Sequence, residues 1–555
     1  MRIASILAGY AIGCVVPAGL AQAQATNREV LAAAAQADPI ANACATSGAP
    51  LALSGSQWNG WGRDLTGARY QPDPGFSAAQ VPRLRVKWAF ALDGGIFSQP
   101  TVVGDRLFVS TIPGRLYALD AASGCVHWTY RTAAGNLNWG AGARAAVVVG
   151  ALPDSGGSPR YAAYIGDDKS YVHALDAATG KRIWATQIET HPFSRISGSP
   201  VLHAGRLYVP VSSLEEAVAG DDKFPCCTFR GSVVALDPVN GRILWKTYAI
   251  SEEPKPFKKN RIGTQMYGPS GAAIWSTPTI DVRRGVLYTS TGNSYTEAEQ
   301  EGASAIIAMD LVTGAIRWTH QVMKDNYLAI GCGRQPPPAN CPSESGPDFD
   351  FGSSPIIRTL PNGNQVLVAV NKGGLVFAMD PDAKGKMLWT QRVGTGSSLG
   401  GTQWGASADA DAVYVPTSDF TAPRDKQRPG LTALRIATGE VIWHVPAPPA
   451  WCSWGGDAGC SNAQSMAVSM IPGIVFSGSL DGHIRAYSTG DGKIVWSFDT
   501  ARPYEAVNGR PANGGSLDGA GPTIANGRLF VTSGYDRFWG RQRGNVLLAF
   551  TVDGK

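Results

Sequence analysis

The chain has 555 residues with a net charge of +5, one less once Arg2 is removed, and only 16% of its residues are charged. So mild a positive balance, with no basic block, argues against a nucleic-acid-binding surface, and so low a charged fraction argues against disorder. Sixty-seven glycines, 37 prolines and 16 tryptophans point to many short strands joined by tight turns, and a single large repeat fold can absorb the length.

In chain order, residues 1–25, "MRIASILAGYAIGCVVPAGLAQAQA", carry one Arg, an apolar run and small-residue A-x-A steps, the pattern of a cleaved secretory signal. Cys14 as a lipoprotein acceptor is the alternative, but Leu is missing at the third position before it. The mature chain is expected to be exported, to the periplasm, and no other apolar run is long enough to span a membrane. Residues 26–54 form an N-terminal extension. No C-x-x-C-H occurs anywhere, so no covalent c-type haem is expected.

Residues 55–555 hold a recurring phrase: "LYALDAASGCVHW" ending at Trp128, "VHALDAATGKRIW" at Trp184, "VVALDPVNGRILW" at Trp245 and "IIAMDLVTGAIRW" at Trp318. It continues with "VFAMDPDAKGKMLW" at Trp389, "LTALRIATGEVIW" at Trp443 and "IRAYSTGDGKIVW" at Trp496. Each copy is an apolar strand, a turn containing Gly and a second strand ending in Trp, which is β-hairpin chemistry. The eighth copy is split, with "NVLLAFTVDGK" at the C-terminus and "LRVKW" ending at Trp88. A last strand that pairs with the first closes a circle and hides its sheet edges. The expectation is an all-β, eight-bladed β-propeller with four-stranded blades and tryptophans packed blade against blade.

After the signal, eight cysteines remain in an export context where disulfides persist. Cys332 with Cys341 and Cys452 with Cys460 are each expected to close a local loop. Cys44 with Cys125 is a long-range pairing that the sequence leaves open. Cys226 and Cys227 are adjacent, so a disulfide between them closes only a very small ring.

Propellers bind ligands around the axis, where loops from every blade converge. The polar groups a repeat does not need are therefore informative. "VPVSSLEE" ends a β-run with Glu215 and Glu216, and "WSTPTIDVRRGVLYTSTGN" ends one with Asn293. Carboxylate and amide oxygens are hard ligands suited to Ca²⁺, though singly such residues are more often turn formers.

The repeat, "TSTGN" with Trp275 ahead of it, "SSLEE" and the adjacent cysteines together resemble the quinoprotein alcohol dehydrogenases that use pyrroloquinoline quinone (PQQ). Within these, "CCTFRGSVVALD", "GPDFDFGSSPI", "IPGIVFSGSLDGHIRAY" and "GGSLDGAGP" are similar to the polyvinyl-alcohol dehydrogenase group. The resemblance covers residues 55–555. It implies that Glu215 and Asn293 ligate a metal and that Trp275 is the floor under the flat cofactor. It further implies that Arg144 pairs with a PQQ carboxylate, that Ser197, Ser212 and Ser213 contact the cofactor, and that Lys372 stands near the quinone oxygens. Asp348 matches the catalytic Asp and, with Asp350, is a further candidate metal ligand; Asp325 is the competing candidate for the base. A second Asp at such a position accompanies lanthanide use in some relatives and calcium use in others, so both metals stay open.

In the wider family an adjacent-cysteine disulfide covers the PQQ ring. Cys226 and Cys227 follow Glu215 in one insert, later in the chain than the pair of methanol dehydrogenase, and the same cap role is the expectation here. The chemistry implied is hydride transfer from an alcohol to PQQ C5, with the bound cation acting as a Lewis acid on the C5 oxygen, Asp348 taking the hydroxyl proton and Lys372 stabilising the reduced quinone. A separate, soluble cytochrome c is the implied electron acceptor. The substrate expected first is a secondary alcohol such as polyvinyl alcohol; a bulky terpenoid or mycotoxin alcohol, a small alcohol and a sugar are the alternatives. Trp404 in "GGTQWG" and Trp454 in "WCSWGG" are candidates for lining the entrance. Scaffold propellers of outer-membrane assembly share the repeat but need none of Glu215, Asn293, Trp275, Arg144 or the cysteine pair.

Overall fold

The computed structural model describes residues 40–45, 50–51, 53–132, 142–153, 159–298, 300–324, 327, 332, 336–342, 345–454, 460–535 and 541–555. The expected signal segment, residues 1–25, lies outside them. Eight antiparallel sheets follow one another around a ring, seven of four strands and one, blade 3, with Ser194–Arg195 as a fifth. Blade 1 is built from Thr101–Val103, Arg106–Ser110, Arg115–Asp120 and Val126–Arg131, and blade 2 from Val148–Ala151, Tyr161–Gly166, Tyr171–Asp176 and Arg182–Gln187. Blade 3 uses Val201–His203, Arg206–Ser213, Ser232–Leu236 and Ile243–Tyr248, and blade 4 uses Thr279–Asp281, Val286–Ser290, Ala305–Asp310 and Ile316–Gln321. Blade 5 comprises Ile356–Thr359, Gln365–Val370, Leu375–Asp380 and Lys386–Arg392; blade 6 comprises Ser407–Ala408, Ala412–Thr417, Gly430–Arg435 and Val441–Pro446. Blade 7 is Ser469–Ile471, Ile474–Gly478, His483–Ser488 and Ile494–Asp499.

Blade 8 joins the two ends of the chain. Thr523–Ala525, Arg528–Ser533 and Val546–Val552 supply three strands, and Leu84–Ala91 supplies the fourth, pairing Leu84 with Val552 and Ala91 with Val546. The ring is thus closed by backbone hydrogen bonds. Residues 42–44 add a short bridge outside Val126–Arg131, pinned by the Cys44–Cys125 disulfide. The two local pairs, Cys332–Cys341 and Cys452–Cys460, are formed as the spacing predicts.

The recurring phrase works as a joint. In every blade the Trp lies opposite a small Ala of the third strand: Ala118 faces Trp128, Ala174 faces Trp184, and in the split blade Ala549 faces Trp88. A larger residue would push the indole off the sheet. The indole then reaches the next blade's turn, where Trp128 Nε1 donates to Ala177 O (3.0 Å) and Trp184 Nε1 to Pro238 O (3.0 Å). The turn Gly packs on that ring. Gly180 has φ +69°, and a Cβ there would sit 2.6 Å from the Trp128 ring, so only glycine meets both demands. The turn Asp folds back on its own loop: Asp310 Oδ1 accepts from the amides of Val312 (2.9 Å) and Thr313 (2.8 Å), an Asx turn.

Antiparallel order fixes where loops emerge. The segment entering a blade's first strand and the turn between its second and third strands lie on one face; the Asx turns between third and fourth strands lie on the other. First strands of neighbouring blades touch, so they line the axis.

Candidate functional site

One face of the ring collects the irregular residues. Segments entering first strands deliver Phe97, Arg144, Ser197, Trp275, Asp348, Asp350, Trp404 and Asp518, and second-to-third-strand turns deliver Glu215, Asn293, Lys372 and Tyr535. A pocket on the axis is bounded by Trp61, Phe97, Arg144, Ser197, Trp275 and Trp404.

Trp275 forms one wall of that pocket. Its Nε1 donates to Asp350 Oδ2 (3.2 Å), and a Cβ at Gly352 would meet its ring at 1.9 Å, so Gly352 keeps the indole in place by leaving it room. Two cations face this ring, Lys372 Nζ at 5.3 Å from the centroid and Arg144 Cζ at 5.9 Å. Trp404 stands perpendicular to Trp275 at 5.6 Å between centroids. Burial pushes the Arg144 guanidinium below its ordinary value, and among the described residues no carboxylate forms an ion pair with it.

Beside Trp275 lies a buried charge cluster. Lys372 Nζ lies 3.0 Å from Asp348 Oδ1 and 2.6 Å from Asp350 Oδ1, and Asn293 Nδ2 is 3.4 Å from Asp348 Oδ1. Glu216 adds negative potential at both Asp348 and Lys372. Burial, with repulsion from Asp350 and Glu216, lifts the Asp348 carboxyl well above the usual carboxylate range against the pull of Lys372. Burial would lower Lys372, but Asp348 and Asp350 outweigh it and hold the ammonium above its ordinary value. Asp348 also sits at φ +60°, a left-handed backbone that costs energy outside glycine and that clusters at functional positions. Asp325, the competing base, lies outside the described residues.

The sequence pair Glu215 and Glu216 is split by the short helix Glu215–Val218. The Glu215 carboxylate accepts from the Thr228 amide (2.9 Å) and the Phe229 amide (2.8 Å), with His191 Nε2 3.6 Å away. Those amides directly follow Cys226 and Cys227, which form a disulfide and are fully buried. The pair shares an apolar cluster with Ala273 and Tyr295, against which Trp275 packs, but does not line the pocket between Trp275 and Trp404.

Of the three serines, Ser197 lines the pocket. Ser212 braces it, Oγ to Oγ at 2.6 Å, and Ser213 Oγ accepts from the Glu215 amide at 2.8 Å. Trp404 lines the pocket as a buried wall, whereas Trp454 is half-buried and does not line it. Trp61, Phe97, Asp518 and Tyr535 were not singled out as site residues by sequence reasoning. "GGSLDGAGP" and "SGY" contain Asp518 and Tyr535, yet nothing in those phrases says which residue turns inward.

The arrangement suits a flat anion. An indole face with Arg144 and Lys372 above it matches a planar quinone bearing carboxylates, which supports PQQ as the occupant. For a cation the donor chemistry fits, because Asp348, Asp350 and Glu216 set three carboxylates within electrostatic reach of one ammonium, beside the Asn293 amide. Even so, among the described residues no three His, Cys, Asp or Glu side chains converge into a metal cluster.

The comparisons with known proteins agree with this geometry. The family model "PQQ: Glucose/ethanol/alcohol dehydrogenase, beta-propeller domain" matches residues 58–391. The chain is 50% identical over 516 residues to a polyvinylalcohol dehydrogenase from Pseudomonas sp, covering 91% of this chain and 79% of that protein. It is 42% identical to the polyvinylalcohol dehydrogenase of Sphingopyxis sp. (strain 113P3), covering 92% and 79%. The crystal structure of quinohemoprotein alcohol dehydrogenase from Comamonas testosteroni shares the fold, with a TM-score of 0.63 at 18% identity over 96% of this chain and 85% of that one. The chain therefore belongs to the PQQ-dependent alcohol dehydrogenase family.

Proposed function

We propose that this protein is an exported PQQ- and Ca²⁺-dependent dehydrogenase that oxidises secondary alcohols, polyvinyl alcohol first among them, to ketones and passes the electrons to a separate cytochrome c. The proposed organisation is a signal over residues 1–25, an extension over 26–54 and a catalytic propeller over 55–555. The observation that carries the reading is the buried Asp348–Lys372–Asp350 cluster beside the Trp275 indole, in a chain half identical to a polyvinylalcohol dehydrogenase.

PQQ, when bound, supplies a quinone able to accept the alcohol's hydride. The chain's own residues do the rest. Trp275 offers the stacking face, Arg144 and Lys372 meet negative charge on the cofactor, and Ser197 supplies a hydroxyl at its edge. Asp348 is the base that takes the hydroxyl proton at a carboxylate oxygen, and it must be ionised to do so. In this arrangement its carboxyl is held high, and a divalent cation held beside it would favour the ionised form. Asn293 and Asp348 supply oxygens for that cation. Glu215 is the further proposed ligand, its carboxylate held in place by the Thr228 and Phe229 amides, and the neighbouring Glu216 adds negative potential at Asp348. A trivalent lanthanide would meet the same oxygens.

The cap role of Cys226–Cys227 belongs to this proposal, supported by their shared packing with Trp275. Unchanged PQQ affinity and turnover in Cys226→Ser would refute it. The test of the whole reading is dye reduction by purified, metal-stripped protein given PQQ and Ca²⁺ separately and together, with ethanol, 2-butanol, a bulky cyclic alcohol and polyvinyl alcohol as substrates. Activity only with both additions, greatest on polyvinyl alcohol, is the expected result. Activity on ethanol alone would move the substrate to a small primary alcohol.

A further inference from the structure

We propose that Asp518 is a positioning residue that, by fixing the Trp404 indole, holds the Arg144 guanidinium where a carboxylate of the cofactor meets it. The inference rests on the PQQ reading above and deepens it.

Asp518 has its side chain wholly buried, with three hydrogen bonds to one oxygen and an ion pair at the other. Oδ1 accepts from Trp404 Nε1 (2.6 Å), Ser465 Oγ (2.7 Å) and the Gly519 amide (2.8 Å). Oδ2 lies 2.6 Å from Arg541, whose side chain is equally buried. A carboxylate tied by this many short contacts in a dry environment holds its partners rigidly. Trp404 is one of those partners. It lies outside the repeat phrase, and its N–H goes to a carboxylate, whereas the N–H groups of Trp128 and Trp184 go to backbone carbonyls.

That difference acts on Arg144. Its Cζ lies 4.2 Å from the Trp404 centroid and 5.9 Å from that of Trp275, in the corner of two perpendicular indoles. The guanidinium is steered by ring faces while no carboxylate of the described residues is ion-paired with it, so its donors stay available to a ligand anion. An indole whose N–H donates to a carboxylate is richer in electrons and attracts a cation more strongly over its face. Asp518 thereby both sets the plane of Trp404 and strengthens its hold on Arg144.

The test compares two probes on metal-free wild-type, Trp404→Phe and Asp518→Asn proteins: PQQ, and its trimethyl ester, which lacks the anionic carboxylates. Affinities come from calorimetry, with Tm recorded in parallel. Trp404→Phe keeps a ring but removes the N–H, and it carries the test if Asp518→Asn, which leaves Arg541 opposite an amide, does not fold. The expected result is a loss of PQQ affinity about tenfold greater than any loss of ester affinity, within what a buried cation–π contact contributes; Trp404 lines the pocket, so the comparison between the two probes carries the test. Equal losses for PQQ and ester, or no loss for PQQ, would overturn the proposal, since a merely structural role makes no distinction between the probes. Failure of the wild-type protein to bind PQQ would instead sink the cofactor reading, and this inference with it.

Discussion

On the face of the ring that carries the turns between third and fourth strands, Asp310 is held well below the usual carboxylate range, chiefly by its hydrogen bond to Arg317 and then by the Thr313 amide. On the opposite face, Asp348 is held well above that range, chiefly by burial. Both are aspartates at the edge of a sheet. They differ in what surrounds the charge: Asp310 is partly exposed among hydrogen-bond donors, whereas Asp348 is buried beside two further carboxylates and one ammonium. One face uses ionised aspartate to stabilise a turn, and the other keeps a buried aspartate whose carboxyl is raised. Stability and reactivity are thereby separated in space, and substitutions can break one without the other.

The largest separation is expected at Asp348. Asp348→Asn removes the proposed base and should lower kcat on 2-butanol about a thousandfold, within the range for loss of a general base. Because it also removes the cost of burying that charge, which together with repulsion from Asp350 and Glu216 outweighs the lost attraction to Lys372, Tm should stay level or rise. A variant that loses stability in step with activity would place Asp348 among structural residues.

The blade joint should behave in the reverse manner. Trp128→Ala removes a buried indole and its hydrogen bond to Ala177, and large-to-small core changes of this kind cost about 3–5 kcal/mol. The protein that remains folded should retain the wild-type KM for alcohol. Denaturant unfolding followed beside steady-state kinetics checks both halves.

Gly352→Ala tests the border between the two regions. Its Cβ would lie 1.9 Å from the Trp275 ring, so either the loop or the indole must move, at about 1–3 kcal/mol for overpacking. If Trp275 is the floor of the cofactor site, PQQ affinity should fall more than Tm does, by calorimetry and thermal melts on the same preparation. A change confined to Tm would remove Trp275 from the binding site.

The same division explains what could be read before any coordinates. The joints were legible because Trp128, Trp184 and their kin recur, each with its Ala and its Gly, so a pattern substitutes for geometry. The split copy at Trp88 and Ala549 even disclosed how the ring closes. The site lacks that redundancy, since each of its residues occurs once, in a loop of its own length. Trp275, Arg144 and Lys372 were reached by resemblance, and they do meet in space. Glu215 and Glu216 show the limit: two identical neighbours sit one step apart on a short helix, and the hydrogen bonds from the Thr228 and Phe229 amides to Glu215 could not be read from the sequence. Asp518 was visible as part of a motif but not as a partner of Trp404, because 114 residues separate them.

The smallest expected effect is the acid response of the Asx turns, and its sign is fixed by the direction of the shift. The folded-state carboxyl of Asp310 ionises more readily than it does in the unfolded chain, so its contribution is present above the unfolded value and is lost as pH falls through the folded one. Asp176 behaves alike: burial raises it, but the Arg160 and Thr179 hydrogen bonds outweigh that and leave it lowered. Asp310→Asn keeps the shape of the turn and removes the charge. Its cost near neutral pH should be below about 1 kcal/mol, as for an exposed ion pair, and should shrink to nothing in acid, where the wild-type carboxyl is also neutral. Urea midpoints of the two proteins, taken from pH 7 downward, should therefore converge. A gap that stayed constant would mean that the carboxylate's charge does nothing for the turn, and it would reduce the contrast with Asp348 to a difference in burial alone.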